Sequence, residues 1–429
     1  MTEPLEQLRE TLHLAEPSDR WALVVAWFDA HQEAELAQVA ETYARGHLHP
    51  VERTAPPHWV ARALDGSPPL GWALVDGMTL RDVGLPGRLH PLLRRGALRQ
   101  LRRLELVDCA VGREQWRLLC GPDAPAFLQS LTVANTRRRS DEIRDLTPLL
   151  SAPFAATLRE LAIRNQRVGA EGARGLAVAG LHLRKLDLSG SPLGADAVVR
   201  LAAPRFAGSL DVLNLANTGC GDRGARAIAA AIGGCRTLAL SNNGVTGQAW
   251  VGDGKLDVVN LAVGGNPLGA EGMDALLKTL GDHTPQRLAL WACGLDAAGI
   301  NLLARGPQFP QLERLELGWN RLGAAGVAAL SAGTAEKLSS LSLRSTKCGD
   351  DGARALAAVR FPSLRRLSLR RCHLTQEGIN ALCQAPWARD LEELNLEKNP
   401  AIGPGARAAL EDLATEGVRV LLSGPNDAR

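Results

Sequence analysis

Aromatic residues are scarce in this 429-residue chain, where they make up 4% of the sequence with one tyrosine and six phenylalanines. Long apolar runs are missing as well. The longest near the start, residues 21–28, is far shorter than the roughly 20 residues that cross a bilayer. The chain opens with an acidic segment, whereas a signal peptide opens with a basic one. We therefore expect no export signal and no membrane contact.

Neither charge dominates, because 49 basic residues face 46 acidic ones. This balance counts against a nucleic-acid-binding protein on composition alone. Only six of the basic residues are lysine, and an arginine-rich, lysine-poor composition is typical of a GC-rich genome, which indicates a bacterial source.

Motifs of enzymes and metal sites are also missing. The chain has no Cys-x-x-Cys pair, no His-Glu-x-x-His and no Gly-x-Ser-x-Gly. Residues 219–224 match the dinucleotide-binding pattern Gly-x-Gly-x-x-Gly, but their glycines recur at equivalent places around residues 269 and 349, which favours a structural role. The eight cysteines fit structural thiols in a reducing cytosol. We expect no catalytic residue, no metal and no cofactor.

What the chain does contain is a repeat. Leu312, Leu315, Leu317, Asn320 and Gly323 illustrate the pattern Leu-x-x-Leu-x-Leu-x-x-(Asn/Ser/Thr/Cys)-x-Leu-Gly, and an alanine- and leucine-rich helical segment follows it. The last core residue of the strand recurs every 23–30 residues, at Leu106, Val133, Ile163, Leu188, Leu215, Leu240, Val263, Leu290, Leu317, Leu343, Leu369 and Leu396. Each repeat, here called a coil, is therefore predicted to be one strand plus one helix.

Three residues beyond each last core residue lies a small or amide side chain that can form hydrogen bonds. We call this the ladder position and expect its side chains to be buried, because the strand turns there and leaves backbone groups to be satisfied. The ladder residues are Cys109, Thr136, Gln166, Ser191, Thr218, Asn243, Asn266, Cys293, Asn320, Thr346, Cys372 and Asn399.

These residues resemble leucine-rich-repeat proteins, specifically the ribonuclease-inhibitor-like subtype. The resemblance implies an α/β fold, a curved solenoid with parallel strands on the concave face and helices on the convex face. It further implies that the concave face binds a protein partner and that catalysis is rare. The chain departs from the subtype in its slightly short repeats and in extra residues around 137–139. The predicted domains are a helical N-terminal cap at 1–65, about 12–13 coils at 66–417, and a closing strand and tail at 418–429.

The segment 1–65 lacks the repeat and carries eleven acidic side chains against five arginines. Four of the nine tryptophans lie in or just beyond it, at positions 21, 27, 59 and 72, which predicts a small core of its own. Because a terminal coil would expose its apolar end, we interpret this segment as a cap. An independent docking domain is the alternative.

The outward strand positions are mostly small residues in the earlier coils but change in the coils that contain residues 287–371. Six arginines, one glutamate and two tryptophans on adjacent coils, about 5 Å apart, match the composition of binding hot spots. The alternative is that arginine and tryptophan merely stack on one another as solvated surface. The candidate partner-binding residues are Arg287, Trp291, Arg314, Glu316, Trp319, Arg344, Arg366, Arg370 and Arg371. A second arginine-rich stretch, residues 81–103, is interpreted as solvated surface.

The sequence thus predicts a non-enzymatic, cytoplasmic protein-binding scaffold whose protein partner is acidic. One alternative is a regulator of a GTPase or a ligase-type adaptor. The other is arginine-mediated nucleic-acid binding, against which the scarcity of aromatic stacking residues counts.

Overall fold

The computed structural model describes residues 3–49, 53–136, 143, 145–178, 181–252, 255–400 and 403–423. The chain divides into two compact units, Met1–Pro192 and Leu193–Arg429. The extra residues predicted around 137–139 lie outside the described residues. Among the helices of the described ranges, none combines the length and the apolar character that crossing a membrane requires.

The first unit begins with four helices, which precede its first strand. They are α1 (Glu3–Leu14), α2 (Arg20–Ala30), α3 (Ala34–His47) and α4 (Pro57–Leu64). Their core is aromatic: the ring of Trp59 is fully buried and packs edge-on against Trp21 at 5.9 Å and Phe28 at 6.3 Å. The indole of Trp59 donates to Asp29 Oδ1 at 2.7 Å, so its one polar atom is satisfied.

The rest of the first unit is built from parallel strands that pair in chain order, each followed by a turn or a helix. The strands are β1 (Gly77–Arg81), β2 (Arg103–Val107), β3 (Ser130–Ala134), β4 (Glu160–Arg164) and β5 (Lys185–Asp187). The intervening helices are α5 (Leu89–Arg94), α6 (Arg113–Leu119) and α7 (Ala170–Val178), with a 3₁₀ helix at Thr147–Ser151.

In its described residues the second unit repeats the arrangement with nine parallel strands, again paired in chain order. They are β6 (Val212–Asn214), β7 (Cys235–Ala239), β8 (Val258–Ala262), β9 (Arg287–Ala289), β10 (Arg314–Glu316), β11 (Ser340–Ser342), β12 (Arg366–Ser368), β13 (Glu393–Asn395) and β14 (Arg419–Leu421). Its helices are α8 (Gly194–Leu201), α9 (Pro204–Ala207), α10 (Gly221–Ala231), α11 (Gly269–Leu280), α12 (Ala297–Arg305), α13 (Gly323–Ala328), α14 (Gly349–Ala357), α15 (Gln376–Cys383) and α16 (Pro404–Thr415). Short 3₁₀ helices lie at Gly247–Trp250, Phe309–Gln311, Ala329–Ala332 and Ala388–Asp390.

Leucines of successive strands stack in register inside the second unit. Leu315 pairs with Leu288 and Leu341, and Leu341 pairs with Leu367. Each of these side chains is at most 1% exposed. Because alternate strand residues point to opposite faces, the residues between these leucines lie on an outer strand face. The predicted fold class, an α/β solenoid of strand-plus-helix coils, is confirmed.

The ladder side chains satisfy the backbone where each strand turns. Asn320 Oδ1 accepts from the amides of Cys293 at 2.8 Å and Leu295 at 3.0 Å, while its Nδ2 donates to the carbonyls of Leu290 at 2.8 Å and Leu317 at 2.9 Å. Ten of the twelve ladder residues are buried. Cysteine serves the same purpose with one weaker bond, as in the contact of Cys372 Sγ with Leu343 O at 3.0 Å.

Two ladder residues depart from the expectation. Thr136 is exposed, and its amide and hydroxyl donate to the Asp108 carboxylate at 2.8 and 2.5 Å, while Asn135 beside it is 2% exposed. The prediction of a buried Thr136 is therefore wrong, because the carboxylate of the preceding coil holds this residue on the surface. Asn399, in the last full coil, makes the complete set of bonds but is only half-buried, since a single strand follows it.

All eight cysteines are free thiols, and seven of them are buried. Burial raises the pKa of Cys120 to about 12 and the pKa of Cys293 to about 11. Cys120 and Cys293 are therefore protonated at neutral pH, the first as a core side chain and the second as a ladder side chain.

Candidate protein-binding surface of the second unit

The strand face of β9–β12 presents the residues that the sequence singled out. Arg287 and Arg314 begin β9 and β10, are paired in register and are exposed, and Arg366 occupies the equivalent place in β12. Glu316 is also exposed, two residues beyond Arg314 on the same strand face. Adjacent strands lie about 4.8 Å apart, so these side chains belong to one surface.

Trp291 does not stand free on this surface. Its indole is half-buried and lies against the backbone of Gly264 and Gly265 in the preceding coil, where a Cβ on Gly264 would overlap the ring. The expectation of two exposed tryptophans is therefore wrong for Trp291, because the two glycines leave a shallow seat that its ring fills.

Trp319 is the exposed tryptophan, with 49% of its surface accessible. The guanidinium carbon of Arg344, from the next coil, lies 5.2 Å from the centre of the Trp319 ring. At this distance the cation and the ring attract one another. The alternative interpretation, stacking of arginine on tryptophan, thus holds for this one pair, and it leaves half of the indole in contact with solvent.

Glutamates of the following coil neutralise part of the arginine cluster. Arg366 pairs with Glu392 at 3.0 Å, and Arg370 pairs with Glu397 at 3.5 Å. The sequence pattern that defined the cluster does not indicate these pairs, because it ends at residue 371 and both glutamates lie in the next coil. Glu397 follows the last core residue of its coil just as Arg370 does in the preceding coil, so a comparison of equivalent positions one coil further would have identified this pair.

The remaining cations of the candidate set have no such neutralisation. Within the described ranges, no carboxylate lies within 4 Å of the side-chain nitrogens of Arg287, Arg314, Arg344 or Arg371. Three polar groups on or beside these residues are under-satisfied. The Nε atoms of Arg344 and Arg370 and the hydroxyl of Ser345 are shielded from solvent without a hydrogen-bond partner. Such groups cost about 1–3 kcal/mol each, so this part of the surface is polar and incompletely satisfied.

The residue type at one backbone position also distinguishes these coils from the earlier ones. Two residues beyond the last core residue, at what we call the turn position, the chain adopts left-handed φ values between 50° and 72° in twelve coils. The first seven of these positions hold the residue types that tolerate this conformation, namely Asp82, Asp108, Asn165, Gly190, Asn217, Asn242 and Gly265. The last five hold Ala292, Trp319, Ser345, Arg371 and Lys398, which we call the strained row. Each of these costs about 1 kcal/mol relative to glycine or asparagine.

The strand face of the first unit differs in character. It carries a half-open pocket of about 240 Å³ lined by hydroxyl-bearing and charged side chains, among them Thr54, Thr79, Arg103 and Glu105. Arg103 donates to Thr54 Oγ1 at 3.3 Å and Thr79 donates to Glu105 at 3.2 Å, so its polar groups bond to one another. The other arginines of the stretch 81–103 are exposed, as the sequence analysis interpreted them.

Within the same described ranges, no cluster of three or more histidine, cysteine, aspartate or glutamate residues could hold a metal ion. The described side chains of the second unit's strand face instead combine an exposed indole with several unneutralised arginines. Aromatic residues and arginine are enriched at protein interfaces.

Comparison with known proteins agrees with the repeat architecture. A family model described as "Leucine Rich repeat" matches residues 310–331 and 362–383. The ribonuclease inhibitor of Sus scrofa is 30% identical over 275 residues, which cover 59% of this chain and 58% of the inhibitor. The chain thus spans less than two thirds of the length of this relative.

Two solved structures are more distant. The crystal structure of the Rad7 and Elc1 complex in yeast has a TM-score of 0.48 at 15% identity, covering 94% of this chain and 88% of that one. The crystal structure of the TLR13–ssRNA13 complex has a TM-score of 0.45 at 16% identity, covering 82% and 51%. Sequence, strands and ladder together define the architecture, a solenoid built of leucine-rich repeats. Its repeats are similar to those of the ribonuclease inhibitor.

Proposed function

We propose that this protein is a non-enzymatic, cytoplasmic scaffold that binds an acidic protein partner through the strand face of β9–β12. The observation that carries the proposal is the combination of the exposed Trp319 with arginines that no described carboxylate neutralises. Aromatic residues and arginine are the side chains that dominate binding energy at protein interfaces. A positive surface of this kind favours an acidic partner through electrostatic complementarity.

Two further observations support parts of the proposal. The relative from Sus scrofa is named as an inhibitor of a ribonuclease, which describes a protein that acts by binding another protein. Seven buried free thiols, several at ladder positions, suit a reducing compartment and support the cytoplasmic location. The other two functions considered, regulation of a GTPase or ligase and nucleic-acid binding, gain no separate support from this surface.

The test is affinity capture from the source cell with a charge-reversed surface. The variant Arg287→Glu with Arg314→Glu changes two exposed arginines that no described carboxylate neutralises, so it removes attraction without breaking an internal ion pair. We expect loss of partner capture, at least tenfold weaker binding by calorimetry, and a thermal unfolding midpoint within about 2 °C of the parent.

The matched control is Arg305→Glu with Arg407→Glu, which reverses the same charge on exposed positions of α12 and α16. It should leave capture intact. If both double variants lose the partner equally, binding depends on net charge alone and the strand-face proposal is wrong.

A further inference from the structure

The strained row lies along one edge of the strand face, with one residue in each coil. Hydrogen bonds between coils continue through this edge: the amide of Trp319 donates to Arg344 O at 2.7 Å, and that of Ser345 to Arg370 O at 2.8 Å. The amide of Arg371 likewise donates to Glu397 O at 3.0 Å. The backbone spacing at the row is therefore the spacing of paired strands, about 4.8 Å per coil.

The residue types in the row are unfavourable for their backbone conformation. Asparagine, aspartate or glycine fills the turn position in the seven earlier coils, whereas tryptophan, serine, arginine and lysine fill it here. Packing does not explain the arginine, since Arg371 is exposed. Exposed Lys347, outside the row, has the same backbone conformation, so what distinguishes the row is its order of one indole and several cations on successive coils.

The under-satisfied polar groups lie at the same edge. Arg344 and Arg370 precede Ser345 and Arg371 directly in sequence, and their Nε atoms and the Ser345 hydroxyl lack partners. Trp319 lies at one end of this group and Lys398 at the other. The edge thus presents the exposed indole of Trp319 followed by the guanidinium groups of half-buried Arg344 and exposed Arg371, spaced about one coil apart.

This spacing selects the conformation of a ligand that crosses the coils. Along an α-helix, seven residues rise about 10.5 Å, close to the roughly 9.6 Å of two coils. Along an extended segment, side chains on one face repeat every 6.8 Å or so, and two repeats reach about 13.5 Å. A helix can therefore set one side chain against each coil over several coils, whereas an extended chain loses register after one.

We propose that the strained row binds an acidic amphipathic α-helix of the partner protein. An apolar side chain of the helix rests on Trp319, and carboxylates three or four and seven residues further on face the donors around Arg344 and Arg371. This inference rests on the proposed function and identifies the part of the partner that the surface recognises.

The test uses an alanine-based, fluorescein-labelled helical peptide that carries leucine at one position and glutamate four and seven residues later. Its control is an isomer of identical composition in which leucine and the glutamates lie on opposite helix faces. Fluorescence anisotropy with the full chain should give saturable binding of the first peptide and at least tenfold weaker binding of the isomer.

A pair of variants separates recognition from stability. Arg371→Asn and Lys347→Asn each remove one exposed cation from a residue with left-handed φ, 56° and 55°, but Lys347 lies beyond the ladder residue Thr346 and outside the row. Both should raise the unfolding midpoint by about 2 °C through relief of strain. Only Arg371→Asn should weaken peptide binding, by tenfold or more, and Arg371→Lys should retain most of it.

Three results would overturn the inference: equal affinity for the two isomers, no saturable binding of either, or unchanged affinity in Arg371→Asn. A partner that is captured through Arg287 and Arg314 but is not displaced by the peptide would leave the proposed function in place and refute the helix. If both double variants lose the partner equally while the first peptide still binds, the proposed function is refuted and helix binding by the strained row stands.

Discussion

Replacing Asn320 with alanine should destabilise the second unit more than any surface substitution. The Asn320 side chain is 1% exposed and makes four hydrogen bonds to main-chain groups of two coils. Alanine leaves the amides of Cys293 and Leu295 buried without an acceptor. At about 1–3 kcal/mol for each unsatisfied group, and with part of the loss relieved by relaxation, we expect a decrease of about 3–5 kcal/mol in the free energy of unfolding.

A graded series makes the prediction specific. Threonine and cysteine occupy the ladder position in neighbouring coils, where Thr346 Oγ1 donates to Leu343 O at 2.7 Å and Cys293 Sγ contacts Val263 O at 3.4 Å. Asn320→Thr and Asn320→Cys should therefore lose about half as much stability as Asn320→Ala, because each keeps one of the bonds.

Urea unfolding followed by circular dichroism measures these differences, with the slope of free energy against urea compared across variants. The Asn243 side chain also makes a full set of ladder hydrogen bonds. Asn243→Ala should therefore lower the free energy of unfolding about as much as Asn320→Ala does. A loss below about 1 kcal/mol in Asn320→Ala, or equal losses in all three variants, would refute the argument that these bonds hold the coils together.

Two other predictions concern buried ionisable groups. Arg53 forms an ion pair with Asp76 in which the side chains are 7% and 11% exposed, so Asp76→Asn strands a buried cation and should cost about 3–5 kcal/mol in urea unfolding; a loss below 1 kcal/mol would contradict this. Stability should also fall as pH rises above 9.0. Unfolded thiols then ionise, whereas burial raises the pKa of folded Cys120 to about 12 and keeps it protonated. Cys120→Ala should lessen this alkaline slope by up to about 1.4 kcal/mol per pH unit, and an unchanged slope would exclude the thiol as its source.

The sequence by itself determined the repeating unit of this protein. An aliphatic residue at the inward strand positions and a hydrogen-bonding side chain three residues beyond the last core residue recur in the coils, and a helix follows in most of them. Each feature depends on local periodicity and on the need to bury apolar and satisfy polar groups, which every coil meets with its own residues. The strands, the helices and the burial of ten of the twelve ladder residues could therefore be predicted.

Only the tertiary structure decided which of the candidate residues are available to a partner. Trp291 is seated on Gly264, Trp319 is exposed beside Arg344, and Arg370 is paired with Glu397. Each outcome depends on a neighbour about 26 residues away and on the backbone conformation at the turn. Residues so distant in sequence become neighbours only when coils stack, because the 4.8 Å or so between strands brings equivalent positions within reach of one another's side chains.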